Sequence, residues 1–195
     1  MEMYKIIKSL CKVVFYPKYR IQVEGVENIP KEGPVLICSN HISNYDPIVL
    51  GITVPREIYF MAKEELFEKK VIGSFLRKLH AFPVKRGMRD RQALRRALEV
   101  LDENHTLGLF PEGTRSKDGT LGKGLAGAGF FALRSQATVI PCAIVGTYKS
   151  KDPLRVVYGK PIPMAQLRER KASSQEVTDE IMEGIRHILD KNEHN

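Results

Sequence analysis

Apolar and polar positions along the chain switch between a helical period and a two-residue period, and each switch marks an element. Over residues 3–17, Met3, Ile6, Ile7, Leu10, Val13, Val14 and Phe15 cover most of a helix surface, and Lys5, Lys8 and Lys12 form one narrow polar stripe. Residues 20–24 alternate as a strand, and 25–33, with Gly25, Pro30 and Gly33, predicts a turn. The apolar run 34–38 predicts a buried strand, and 48–52 the start of a helix. Strand 57–61, helix 71–79 and an extended segment over 82–87 follow. Asp90 is placed to cap a helix over 90–104, with Leu94, Leu98 and Leu101 inward and Arg91, Arg95 and Arg96 outward. Strand 106–110 breaks at Pro111, and a glycine-rich stretch over 119–129 leads into a helix through 130–133. Residues 138–145 are apolar and β-branched around Pro141, as one buried strand or two short ones, and 154–159 is a further strand. Ser173, with Glu176 three positions on, is a capping box; it opens a last helix whose inward face is Val177, Ile181, Ile185 and Ile188. Alternating strands and helices predict an α/β chain, long enough for one domain with a full core.

Charge adds a partner class. Lys and Arg number 31 against 23 Asp and Glu, a net charge of +8. Residues 61–96 hold eleven of the bases and four of the acids, so the excess is concentrated there. Such a run is a solvated face or a surface that meets an anion. Cys11, Cys38 and Cys142 are scattered without C-x-x-C spacing, which argues for a reducing compartment and against a disulfide framework or a zinc site. No apolar run is long enough to span a bilayer, and lysines interrupt the first segment too often for a secretory signal. The helix at 3–17, with its broad apolar face, basic stripe and tyrosines Tyr4 and Tyr16, suits a membrane interface; a helix docked on the core or an oligomer contact fits as well. The expected division is a membrane-associating helix over 1–18 and one domain over 19–195.

Three strand ends carry candidate chemistry. The first loop offers His41 and Asp46. In one reading the imidazole takes a proton from a hydroxyl while the carboxylate fixes its tautomer. In the other, Asp46 before Pro47 is only a helix N-cap. The second loop offers Lys85, Arg86 and Gly87, and the third Glu112, Gly113, Thr114 and Arg115. Here the glycine lets backbone N–H groups approach an anion, and the arginine forks onto phosphate or pairs with Glu112.

Read together, Asn40-His41-x-x-x-x-Asp46, Phe82-Pro83-Val84-Lys85-Arg86-Gly87, Phe110-Pro111-Glu112-Gly113-Thr114-Arg115-Ser116 and Val139-Ile140-Pro141-Cys142-Ala143-Ile144 resemble the glycerolipid acyltransferase family, in its bacterial 1-acyl-glycerol-3-phosphate acyltransferase branch. The resemblance covers about residues 20–160. It implies a central mixed, mostly parallel sheet flanked by helices. It also implies transfer of a fatty acyl group from acyl-CoA or acyl carrier protein to the 2-hydroxyl of lysophosphatidic acid, giving phosphatidic acid. His41 is then the general base and Asp46 its partner; Glu112, Gly113, Thr114 and Arg115 contact the glycerol phosphate, Arg115 at the phosphate itself. Arg86 matches the base that ends the second motif, Lys63 lies on the substrate path, and the fourth motif is core and acyl-pocket wall. Direct transfer needs no acyl-enzyme, no metal and no cofactor beyond the thioester; its oxyanion donors are expected among backbone N–H groups of the first or third loop. Some family members carry transmembrane helices, whereas this chain offers only the amphipathic segment. The expected location is therefore peripheral, on an anionic membrane at the cytoplasmic face. Three other readings stand beside this one: another acceptor such as glycerol 3-phosphate or a different lysophospholipid; hydrolysis through Cys38, Ser39 or Ser43, without a G-x-S-x-G elbow; and a basic binding protein, for which no nucleic-acid motif speaks.

Overall fold

The computed structural model describes residues 2–85, 90–149 and 151–193. Its elements are α1 (Glu2–Tyr19), β1 (Gln22–Glu24), β2 (Val35–Ser39), α2 (Asp46–Thr53), β3 (Ile58–Lys63), α3 (Glu65–Glu68), α4 (Lys70–Lys78), β4 (Ala81–Val84), α5 (Arg91–Asp102), β5 (Thr106–Leu109), α6 (Gly127–Arg134), β6 (Thr138–Val145), β7 (Arg155–Tyr158), α7 (Met164–Glu169) and α8 (Ser174–Glu193). Among the described residues seven strands form one sheet in the order β1-β7-β6-β2-β5-β3-β4. Every neighbouring pair is parallel except β6–β7. The expected mixed, mostly parallel sheet flanked by helices is what the chain forms.

Central β2 is buried at all five positions because both faces of the sheet are covered. Leu36 and Cys38 enter one layer with Ala97, Val100, Phe131 and Ile181. Val35 and Ile37 enter the other with Tyr19, Val49, Leu50 and Ile52. The fourth motif is β6, whose residues divide the same way, Val139 and Ala143 to the first layer and Ile140, Cys142 and Ile144 to the second. Pro141 does not split that strand. Its carbonyl accepts from Gly159 N at 2.8 Å where β7 ends, so the missing N–H falls at the end of the β6–β7 ladder and not against β2.

Three local expectations change. In α5 Leu101 is buried as expected and Leu94 and Leu98 pack partly against the core, but the other fully buried positions are Ala93, Ala97 and Val100. The helix α7 was not expected, because its six residues follow Pro161 and Pro163 and bury only Met164 and Leu167. In α1, Lys8 leaves the polar stripe and turns inward, donating to the carbonyls of Val54 (2.5 Å) and Arg56 (3.1 Å) past the end of α2. Orphan carbonyls at a helix C-terminus attract an ammonium. Burial, with the Lys12 charge adding to it, pushes the Lys8 pKa down to about 8.

Buried Tyr4 and Tyr19 hold α1 on the second layer, and the Tyr4 hydroxyl accepts from Ile58 N. The opposite face, Met3, Ile6, Leu10, Val13 and Val14, is exposed and apolar. The helix is thus docked on the core and still presents an uncovered apolar face. No described helix is long and apolar enough to cross a membrane.

Candidate active site

Asn40 fixes where β2 stops. The β2–β6 register ends at Ser39 and Cys142. Beyond it the buried Asn40 amide accepts from Ile144 N at 2.8 Å and donates to Ile144 O at 3.0 Å, so a side chain replaces the next rung of the ladder. Released from pairing, the backbone turns over the top of the sheet with His41 as its first residue.

The His41 Nδ1 lies 2.7 Å from Oδ2 of Asp46. Asp46 is fully buried, and the same oxygen accepts from Ile42 N and Ser43 N, both at 2.7 Å. Oδ1 accepts the Tyr148 hydroxyl at 2.8 Å. These are upstream or distant donors. The N-cap position of α2 belongs to Tyr45 and has no side-chain cap, so the capping reading of Asp46 fails. The carboxylate instead sits in the first turn, where the helix dipole favours its charge, and it folds the His41 loop around itself. A carboxylate acceptor makes Nδ1 the protonated nitrogen and leaves Nε2 as the acceptor in the neutral ring. Nε2 has no partner among the described residues and is not enclosed. The side chain is 12% exposed. Phe110 stacks on the imidazole at 4.1 Å between centroids and 17° between planes, and Phe60 stacks on Phe110. The ring is pinned on one face and at one nitrogen, and open at the other nitrogen.

The third loop is clamped to the first. Ser116 N donates to His41 O at 2.8 Å. Glu112 accepts from His41 N and Gly122 N, each at 2.8 Å, through its two oxygens. It does not pair with Arg115, contrary to one reading of the run. Gly113 turns the loop with φ at +69°, a left-handed conformation that suits glycine. Thr114 and Arg115 then project outward; both are exposed, and Arg115 has no hydrogen-bond or ion-pair partner among the described residues. A cleft of about 320 Å³ beside them is lined by Glu112, Thr114, Ser116, Lys117, Thr120 and Lys123. The backbone N–H groups of His41, Ile42, Ser43, Gly113 and Ser116 are all engaged. Those of Thr114 and Arg115 remain free among the described residues.

The second loop is farther along the sheet. Lys63 ends β3, two strands from β2, and pairs with Glu65 at 2.8 Å. Lys85 follows β4 and lies 3.7 Å from Glu64. Arg86 and Gly87 fall outside the described residues. No group of three or more metal-ligating side chains gathers among the described residues. Cys38 and Cys142 are buried, and burial pushes both thiols far up. Tyr148 had no sequence signal: it lies in a polar run after β6 that reads as an ordinary turn. Burial first, and then the Asp46 charge, raises its phenol well above the usual range.

A family model described as Acyltransferase matches residues 20–145. The chain belongs to the acyltransferase family. It is 31% identical to the 1-acyl-sn-glycerol-3-phosphate acyltransferase of Bacillus subtilis over 97% of this chain and 100% of that protein. It is 33% identical to the chloroplastic LPAT1 enzyme of the same description from Arabidopsis thaliana, over 80% of this chain and 48% of that one. The crystal structure of the lysophosphatidic acid acyltransferase PlsC from Thermotoga maritima superposes with a TM-score of 0.76 at 27% identity, covering 95% of this chain and 79% of that one. The Acyltransferase match begins just after α1 and ends at the last residue of β6. It therefore contains the first and third loops with everything that joins them, and it stops before Tyr148. This acyltransferase thus carries its His41–Asp46 pair inside the family region and one of its braces outside it.

Proposed function

We propose that the enzyme moves a fatty acyl group from a thioester, on acyl carrier protein or CoA, to the 2-hydroxyl of lysophosphatidic acid, yielding phosphatidic acid. The observation that carries this is the state of His41: Nδ1 locked to a buried, fully bonded carboxylate, Nε2 without a partner among the described residues on a side chain that is 12% exposed. Nε2 takes the hydroxyl proton as the alkoxide oxygen attacks the thioester carbonyl. Asp46 steadies the imidazolium so formed. The tetrahedral intermediate collapses by breaking its C–S bond, and the departing thiolate takes the proton from Nε2. The free N–H groups of Thr114 and Arg115 are the oxyanion donors that loop bonding leaves over.

Arg115, exposed and unpartnered next to the His41 loop, suits the acceptor's phosphate, with Lys63 at the end of β3 farther out along the same sheet edge. Glu112 acts by holding the two loops together, since both its oxygens are engaged by backbone. A one-chain lipid acceptor resides in a membrane, and the apolar face of α1 supports a peripheral enzyme on the cytoplasmic surface of an anionic bilayer.

The names of the relatives favour lysophosphatidic acid over other acceptors. Hydrolysis through Cys38 finds no support in a thiol that is sealed and held protonated. The test is product analysis with purified protein, lysophosphatidic acid and each thioester in turn. Phosphatidic acid with at least one donor is expected; free fatty acid alone, or no product with either, would overturn the reading.

A further inference from the structure

We infer that α4, with Leu66 from α3, is a second membrane-inserting ridge, so that the enzyme rests on an anionic phospholipid surface through two helices and not through α1 alone. The inference deepens the membrane reading above and rests on it.

The first observation is an apolar flank with nothing over it. Val71, Ile72 and Phe75 lie on one side of α4, and Leu66 belongs to α3, which packs against α4; all four are exposed. Val71, at 84%, is the most exposed large apolar side chain among the described residues. Rotation cannot hide this flank. Gly73, on the other side of the helix, is pressed so closely onto α3 that a Cβ there would lie 2.5 Å from the Phe67 carbonyl oxygen. Phe67 is buried below, with the Arg77 guanidinium 5.3 Å from its ring centroid. The packing that anchors α4 is what turns Val71 and Phe75 outward.

The second observation is charge. Lys69, just before α4, and Lys70, Arg77 and Lys78 on it are exposed, and none has an ion-pair partner among the described residues. Of the nearby acids, Glu64 and Glu65 face Lys85 and Lys63, which leaves Glu68 against four cations. Apolar side chains bordered by lysines match a surface of acyl chains under anionic headgroups.

The third observation is placement. The connection from β2 to β3 and that from β3 to β4 step the same way across the sheet. Right-handed crossovers then put α2 and α4 on one face. On that face α1 packs against α2, and its Tyr4 ring stacks at 4.8 Å on His80, two residues past α4. The apolar stripe of α1, with Val13 at 72% exposure, and the flank of α4 therefore share one side of the molecule. An acidic carrier protein would also meet lysines, but it offers no reason for two separate apolar ridges on that side.

The experiment uses the full chain with Cys11→Ser, so that added cysteines alone react; Cys38 and Cys142 are buried. Val13→Cys and Val71→Cys are each labelled with an environment-sensitive fluorophore and mixed with vesicles of phosphatidylglycerol or of phosphatidylcholine. Both probes are expected to shift to the blue with phosphatidylglycerol and to be quenched by labels on the acyl chains. A Val13 probe that responds beside a Val71 probe that does not overturns the second ridge and leaves the α1 reading standing. Silence at both positions overturns the two together. The variant Val71→Asp with Phe75→Asp should weaken binding to phosphatidylglycerol vesicles by at least ~10-fold, given the apolar surface withdrawn from lipid, and leave turnover of detergent-dispersed short-chain substrate unchanged. Unaltered vesicle binding combined with a raised KM for the carrier-protein thioester, and not for the CoA thioester, would assign the ridge to the carrier and overturn the inference.

Discussion

Tyr148 donates its phenolic hydrogen to Oδ1 of Asp46 at 2.8 Å, on the carboxylate oxygen that His41 does not use. The ring of Tyr148 meets that of Tyr19 edge-on at 5.1 Å, and Tyr19 is the last residue of α1. The carboxylate that orients the imidazole is therefore braced by a residue packed on the end of the N-terminal helix.

The Tyr148→Phe variant should lower kcat about 3- to 10-fold, in line with one lost hydrogen bond of roughly 1 kcal/mol at a buried charge, and leave the KM for lysophosphatidic acid unchanged. Stability supplies a second readout. Burial and the Asp46 charge raise this phenol in the folded protein above its unfolded value of about 10. Its contribution is then fully present below pH 10 and is lost as pH rises beyond that. The stability difference between wild type and Tyr148→Phe, from urea unfolding, should be constant from pH 7 to 9 and shrink above pH 10.

Glu112→Ala leaves the N–H groups of His41 and Gly122 without their acceptor. The expected loss is roughly 1–3 kcal/mol of stability, the cost of one unsatisfied donor at half-buried His41, since the exposed Gly122 can turn its N–H to water, with transfer activity falling as the loops part. Glu112→Gln keeps one good acceptor and should lie between. Urea midpoints for the three proteins check the order.

Arg115→Ala removes an exposed side chain that bonds to nothing in the described residues, so its unfolding midpoint should match wild type. The KM for lysophosphatidic acid should rise by about 10- to 100-fold, the worth of a charge-assisted contact of some 1.5–3 kcal/mol. Steady-state kinetics at saturating acyl donor measures this. A shift in stability with unchanged KM would remove Arg115 from the phosphate site.

Cys38→Ala tests the covalent alternative. Cys38 is a core residue of β2 with a thiol that burial holds protonated. The variant should lose about 1 kcal/mol or so of stability through a small cavity and keep its turnover. Mass spectrometry of the wild type during turnover should find no acylated protein.

Much of this was legible in the sequence because the elements announce themselves locally. The capping box at Ser173 and Glu176 forms as expected, with Ser173 N donating to Glu176 at 2.7 Å, and Asp90 caps α5 through Gln92 N and Ala93 N. The inward face of α8, Val177, Ile181, Ile185 and Ile188, follows from period alone. Contacts across the chain were not legible. Asn40 opens the first motif, but its role appears only when Ile144 stands opposite it, 104 positions away, and Tyr148 acquires meaning only through Asp46, 102 positions away. Glu112 and Arg115 are neighbours in sequence, which invites pairing, but the turn at Gly113 sends one to the backbone and the other to solvent. Lys8 obeyed helical spacing with Lys5 and Lys12 and still turned inward, because the carbonyls past α2 outweigh a stripe pattern.

The most direct measurement is transfer by His41→Ala, assayed with labelled acyl donor and lysophosphatidic acid beside a binding measurement for lysophosphatidic acid. Loss of a positioned general base lowers the rate about 10²- to 10⁴-fold, and acceptor binding should persist, since the phosphate contacts come from another loop. A variant that transfers acyl groups at the wild-type rate while folded would contradict the role given to the bare nitrogen of His41.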